Sequence, residues 1–113
     1  MKQYCMALDL KDDTDLIAEY DQWHKQIWPE VKASMIESGI TNMIIYRLGI
    51  RLFMIMETSD DFSFDKKASI EAADPKVQEW EKRMGAYQQL LPQAKPGEKW
   101  VLMNKIFELK DFL

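Results

Sequence analysis

The stretch Ile40-Thr41-Asn42-Met43-Ile44-Ile45-Tyr46-Arg47-Leu48-Gly49-Ile50-Arg51-Leu52-Phe53-Met54-Ile55-Met56-Glu57-Thr58 reads as two apolar runs on either side of a glycine. Ile40–Leu48 has strand character, Gly49 supplies a turn, and Arg51–Thr58 follows as a second strand, so the segment predicts a β-hairpin. On both sides of the hairpin the hydrophobic period changes. Upstream, Leu16, Tyr20, Trp23 and Ile27 fall at i, i+4, i+7 and i+11. That is one stripe of an amphipathic helix, which Asp13 or Thr14 is placed to cap. Pro29 must interrupt this helix or begin a new one at its first turn. Glu30 to Ser38 continues helically, and Gly39 is a good stop. Downstream, Ser59-Asp60-Asp61 breaks the second strand and Phe64–Ala73 predicts a short helix. Asp74-Pro75 starts another helix, with Asp as the cap and Pro at the first position, running to Met84 or Leu90. Pro92–Gly97 is a loop. The outermost segments, Gln3–Leu10 and Trp100–Leu109, read as strands.

The order is β-α-β-β-α-β. It predicts an α+β, ferredoxin-like domain over residues 1–113, a four-stranded antiparallel sheet with helices on one face. Met6, Leu8, Ile44, Met54, Met56, Leu102 and Ile106 sit in runs where both sheet faces are largely apolar. An uncovered apolar face of that size would drive aggregation. Pairing two such faces in a symmetric homodimer removes the hazard.

The composition narrows the function. The chain has 113 residues, with 15 Lys+Arg against 19 Asp+Glu, a net charge of −4 and a pI near 5.0. A nucleic-acid binder needs a basic footprint, so that class is disfavoured. No apolar run approaches the ~20 residues of a membrane helix, and the first ten residues carry no signal-peptide core. Cys5 is the only cysteine, so neither an intrachain disulfide nor a cysteine-based zinc cluster can form. A cytoplasmic location is expected. His24 is the only histidine, which rules out multi-His metal sites.

The segment with most chemical content is Tyr20-Asp21-Gln22-Trp23-His24-Lys25-Gln26-Ile27-Trp28-Pro29-Glu30. Tyr20, His24 and Trp28 are spaced i, i+4, i+8, which on one helix puts them on one side. An imidazole between aromatic groups suits a carbohydrate. Sugar C–H faces stack on rings, and imidazole and phenol exchange hydrogen bonds with hydroxyls. Spacing alone favours the plainer alternative, with Tyr20 and Trp28 as rim aromatics and His24 a satisfied or exposed helix residue. Trp80, in Gln78-Glu79-Trp80-Glu81-Lys82-Arg83-Met84, is open to the same two readings: a pocket wall, or core packing on a charged helix. Asp9 and Glu57 lie near strand ends and could face a pocket, a choice that strand parity alone does not make. The eight methionines read as plastic core or interface filler rather than a metal site. There is no Gly-rich phosphate loop or nucleophile elbow.

Nearly end to end, the chain resembles the L-rhamnose mutarotase family. The sharpest match is Glu19-Tyr20, His24 and Ile27-Trp28-Pro29-Glu30. Weaker ones are Asn42 with Tyr46, Leu52-Phe53 with Glu57, and Trp80 with Lys82 and Met84. The resemblance implies a cofactor-independent enzyme that interconverts the α and β anomers of a free sugar. It also implies a dimer of ferredoxin-like subunits, a dimeric α/β barrel. Residue by residue, His24 matches the proton-donating His and Tyr20 a sugar-contacting Tyr. Trp80 matches the first of two adjacent sugar-contacting Trp residues. Two positions depart from the pattern. Met43 stands where rhamnose enzymes place a second binding Tyr, and Glu81 where they place the second Trp. Losing a phenol and an indole while gaining a carboxylate changes which hydroxyls are recognised. L-Fucose, also a 6-deoxy-hexose, is then a candidate beside L-rhamnose.

The expected chemistry is acid–base opening and closing of the hemiacetal ring. His24 serves as general acid to the ring oxygen, Tyr20 orients the sugar, and Trp80 and Trp28 stack on its apolar face. The complementary base is open among Asp9, Glu57, Glu81 and water, and neither metal nor organic cofactor is required. Two other classes share the scaffold: a small oxygenase on an aromatic or haem-like substrate, and a non-catalytic small-molecule binder. Substrate-dependent oxygen uptake marks the first, and sugar binding without faster anomer exchange marks the second.

Overall fold

A computed structural model describes residues 1–113. Three long strands make the body of the sheet: β1 (Lys2–Leu10), β2 (Ile40–Leu48) and β3 (Arg51–Thr58). Two short ones, β4 (Gln88–Gln89) and β5 (Val101–Leu102), complete it. The order is β2-β3-β1-β4, with β5 also on β1, and every pairing is antiparallel. This is the ferredoxin-like order, with its fourth strand position divided between two short segments. β4 pairs with Asp9 and Leu10, and β5 pairs with Met6 and Ala7.

The predicted hairpin forms with Gly49 at φ +59°, a left-handed turn position that glycine enters without a Cβ penalty. Its register sets Asn42 opposite Glu57, Ile44 opposite Ile55, Tyr46 opposite Phe53 and Leu48 opposite Arg51. A bulge falls between Ile40 and Asn42. Across β1, Cys5 faces Ile55, Ala7 faces Phe53, and Asp9 faces Arg51. Because strand side chains alternate, this register sorts the whole sheet into two faces. Met6, Leu8, Leu10, Leu52, Met54 and Met56 are buried against the helices. The opposite face carries Cys5, Ala7, Phe53, Ile55, Ile44 and Tyr46, and Tyr46 is 58% exposed.

The helices are α1 (Thr14–Trp23), α2 (Pro29–Glu37), α3 (Phe64–Ala72) and α4 (Pro75–Gly85). Each predicted helical region is therefore two helices. Asp13 caps α1 by accepting from the Leu16 amide at 3.0 Å, and Ser63 and Asp74 cap α3 and α4 in the same way. Each cap contributes about 1 kcal/mol. Pro29 and Pro75 sit in the first turns of their helices, where the missing N–H costs nothing. Gly39 ends α2 at φ +95°, and a Cβ there would lie 2.8 Å from Ser59 Oγ.

Two expectations change. Tyr20, His24 and Trp28 do not share one helix. Pro29 begins a new helix, so α1 stops at Trp23 with His24 as its C-cap, and Trp28 is the N-cap of α2. The last strand is not Trp100–Leu109. Only Val101–Leu102 is strand, Met103 N–H donates to Cys5 C=O at 2.8 Å, and the chain then leaves the sheet. It ends in a 3₁₀ turn, Leu109–Phe112. Ile106 is 95% and Leu113 94% exposed, so this apolar arm has no surface within its own chain to bury against.

Candidate active site

The site lies between the helix layer and the sheet. Here the helices stand off the three central strands and leave a cavity of about 870 Å³. Small-molecule sites span roughly 300–1,000 Å³. Six of the eight methionines line it: Met6, Met54, Met56 and Met43 from the sheet, Met35 from α2 and Met84 from α4. Thioether side chains give this floor an adaptable apolar surface without directed hydrogen bonds.

The C-cap of α1 supplies the one imidazole of the chain. His24 Nδ1 lies 2.9 Å from the carbonyl oxygen of Tyr20, one turn back. A carbonyl only accepts, so Nδ1 carries the proton and donates. Nε2 is then the ring nitrogen left to exchange a proton with a ligand. The Tyr20 ring lies 4.5 Å from the imidazole, centroid to centroid. Tyr20 is buried, and its hydroxyl accepts from Gln88 Nε2 at 3.4 Å. Burial, opposed by that hydrogen bond and assisted by the negative charges of Glu81 and Asp21, raises the phenol above its ordinary range. Tyr20 therefore remains a neutral O–H donor at all physiological pH values.

Trp80, on the buried face of α4, forms the next wall. It meets the His24 ring edge-on at 5.8 Å, Trp23 at 5.9 Å and Trp28 at 5.3 Å. Trp23 Nε1 donates to Tyr87 Oη at 3.0 Å, which ties this aromatic cluster to the segment leading into β4. Trp28 does not line the cavity. It backs Trp80, with the Arg83 guanidinium 5.7 Å and the Lys76 ammonium 5.8 Å from its ring. Its expected stacking on the ligand is replaced by support of the residue that borders it.

The polar wall comes from α3, α4 and the loop before β5. Lys67, Glu71, Glu81 and Lys99 all border the cavity. Lys67 Nζ donates to Glu71 Oε2 at 2.9 Å, whereas Lys99 Nζ lies 3.8 Å from Glu81 Oε2. Burial raises the Glu81 carboxyl above its ordinary range, Lys99 opposes this, and the charge of Glu71 adds to it.

The structure thus brings together His24, Tyr20, Trp80, Met43 and Glu81. Asp9 and Glu57 lie on the opposite face, Asp9 in an ion pair with Arg51, so two of the four candidates for the complementary base are off the site. Asn42 and Tyr46 of the second sequence match share that outer face. Gln88 and Lys99 were not singled out in the sequence. Gln88 lines the cavity at 9% exposure, and its Oε1 has no hydrogen-bond partner. At the end of a helix expected to run toward Leu90, a glutamine carries no signal of burial. No three His, Cys, Asp or Glu side chains converge as metal ligands would.

A ferredoxin-like domain places an imidazole, a phenol and an indole around one apolar-floored cavity, groups that can exchange hydrogen bonds with a small hydroxylated ligand. The chain belongs to the L-rhamnose mutarotase family, whose model, described as L-rhamnose mutarotase, matches residues 3–109. That makes it a mutarotase, a carbohydrate isomerase. An L-fucose mutarotase of Xanthomonas campestris pv. campestris is 43% identical over 113 residues, covering 98% of this chain and 90% of that protein. Among solved structures, the L-rhamnose mutarotase of Formosa agariphila superposes with a TM-score of 0.70 at 19% identity, covering 96% of this chain and 98% of that one. A dimeric ferredoxin-like protein from an uncultured marine organism superposes with a TM-score of 0.53 at 11% identity, covering 94% and 90%. These two structural likenesses establish the fold.

Proposed function

We propose that the cavity holds the ring form of a free 6-deoxy-hexose and speeds exchange between its α and β anomers. L-Fucose is the first choice of substrate and L-rhamnose the second. The relative at 43% identity is an L-fucose mutarotase, and Met43 and Glu81 replace the Tyr and Trp of the rhamnose pattern. The observation that carries the reading is His24. One ring nitrogen is committed to Tyr20 C=O at 2.9 Å, and the side chain borders the cavity beside Trp80.

In this mechanism the His24 ring, protonated on both nitrogens, delivers its Nε2 proton to the ring oxygen. The C1–O5 bond opens to the aldehyde while the anomeric hydroxyl loses its proton. After the aldehyde rotates, closure on the other face reverses both transfers. Tyr20 donates a hydrogen bond to a sugar hydroxyl, and Trp80 offers an apolar surface to the C–H face. A positioned acid or base typically contributes ~10²–10⁴-fold. The test is magnetisation exchange between the anomeric proton signals of L-fucose, L-rhamnose and ordinary hexoses. Catalysed exchange lost in His24→Asn supports the reading, and catalysed exchange unchanged in that variant sinks it.

The chain further works as a homodimer, with the two open sheet faces packed together as in a dimeric α/β barrel. The rows Ile44–Ile55–Cys5 and Tyr46–Phe53–Ala7 form an apolar band flanked by polar rows through Glu57 and Arg51. The exposed arm after Met103 adds apolar side chains that a second copy would cover. A reducing, cytoplasmic setting suits the free thiol of Cys5 on this face.

A further inference from the structure

We infer that Glu81 is the second proton-transfer group of the cavity, the base that takes the anomeric hydroxyl proton while His24 protonates the ring oxygen. This rests on the mutarotase reading of the cavity and names the group that reading leaves open.

The assignment follows from which carboxylates reach the cavity and what holds them. Glu71 and Glu81 are the two that line it. Glu71 is engaged, with Lys67 Nζ donating to its Oε2 at 2.9 Å. Glu81 is not. Its neighbour Lys99 donates to the main-chain carbonyl of Glu81, at 3.0 Å, and stays 3.8 Å from the carboxylate, beyond hydrogen-bond distance. The cation is near enough to favour the ionised form and too far to occupy its lone pairs. The carboxylate thus keeps its accepting capacity for a ligand. It follows Trp80 directly in α4, and Trp80 touches the His24 ring. Tyr20, between the two helices, feels the Glu81 charge.

The titratable groups that line the cavity with Glu81 are His24, Tyr20 and Lys25 from α1 and its end, Lys67 and Glu71 from α3, and Lys99 from the loop before β5. From the sheet, the three long strands offer only apolar side chains, and β4 adds the uncharged Gln88. Partial withdrawal from water raises the carboxyl, which makes the carboxylate a stronger base than a surface glutamate. The step balances. The O1–H proton passes to the Glu81 carboxylate, the O1 electron pair forms C1=O, and the C1–O5 pair takes the His24 proton. Closure on the opposite face returns both protons, with no net change in the protein.

The experiment uses the whole chain and anomer exchange of L-fucose across a pH series. Glu81→Gln should lower kcat/KM by about 10²-fold, mostly through kcat, and remove the acidic limb of the profile. Glu81→Asp should restore part of the rate and the limb. Lys99→Met should move the limb to higher pH, because the carboxylate loses its stabilising cation. Glu81→Gln that keeps kcat and the limb, or loses only in KM, overturns the assignment while leaving the His24 reading intact. Absence of catalysed exchange in the unsubstituted protein overturns both.

Discussion

The Nδ1 of His24 and the main-chain carbonyl of Tyr20 are 2.9 Å apart, a contact made at the last turn of α1. Residues four apart meet on a helix, so the backbone that carries the phenol also orients the imidazole. Fixing one ring nitrogen in this way selects the tautomer and aims the other nitrogen. Tyr20→Phe keeps that carbonyl and removes only the hydroxyl. It should leave His24 in place and lower kcat/KM for the preferred sugar by about tenfold, the value of one hydrogen bond of ~1.4 kcal/mol. Exchange NMR checks this, and an unchanged kcat/KM would take the hydroxyl out of substrate recognition.

Trp80 and Trp28 touch each other at 5.3 Å, but only Trp80 borders the cavity. Trp80→Phe should therefore cost both stability, by about 2 kcal/mol, and sugar affinity. Trp28→Phe should cost stability with little change in KM. Thermal unfolding and exchange rates measured on both variants separate the two roles. Equal KM changes would put Trp28 back among the sugar contacts.

Gln88 presents a buried oxygen with no partner and a long 3.4 Å bond to Tyr20 Oη. An unpaired buried acceptor costs roughly 1–3 kcal/mol. Gln88→Met, similar in shape, should raise the stability of the sugar-free protein by about 1 kcal/mol and lower its activity. Urea titration beside the exchange assay checks both halves. A less stable variant would mean that the amide is better satisfied than its contacts indicate.

Glu81 links the site to pH. Its carboxyl is raised by burial above the ordinary 4.5, so the native state holds that proton more tightly than the unfolded chain. The resulting stabilisation is full below the unfolded carboxyl's range and is lost as pH rises through the native value. Glu81→Gln removes that loss. Its melting temperature should exceed the wild type's near pH 7, with the difference shrinking below the ordinary carboxylate range. The side chain is 45% exposed, which keeps the gain small. A variant less stable at pH 7 would show that the Lys99 pairing outweighs dehydration.

Ile55 lies at the centre of the open sheet face, between Cys5 and Ile44. Ile55→Asp points away from the helices and cavity, so it should halve the mass seen by sedimentation equilibrium while leaving far-UV circular dichroism unchanged. A monomeric wild type, or a variant still dimeric, removes the face-to-face arrangement.

The hairpin, the caps at Asp13 and Asp74 and the stop at Gly39 are legible because each depends on neighbours in the chain: an apolar run, a side-chain oxygen before a helix, a glycine after one. The resemblance was carried by the Tyr20/His24/Trp28-Pro29 register, and the cavity gathers Tyr20 and His24 from it. The place of Trp28 is not legible because Pro29 permits two outcomes, and the tertiary fold takes the new helix. Asp9 and Glu57 stayed candidates until register decided them, since a shift of one residue exchanges the two faces of a strand. The final strand was overextended because an apolar run does not say whether its partner surface lies in the same chain.

The sequence by itself determined the hairpin, the helix starts, the family and the one imidazole a site could use, since local periodicity and a short motif contain them. Only the tertiary structure decided which carboxylates border the cavity with His24, that Gln88 and Lys99 border it too, and which sheet face is left open. Those relations join residues as many as 75 positions apart, His24 and Lys99 among them, and only strand register and helix packing bring such residues together.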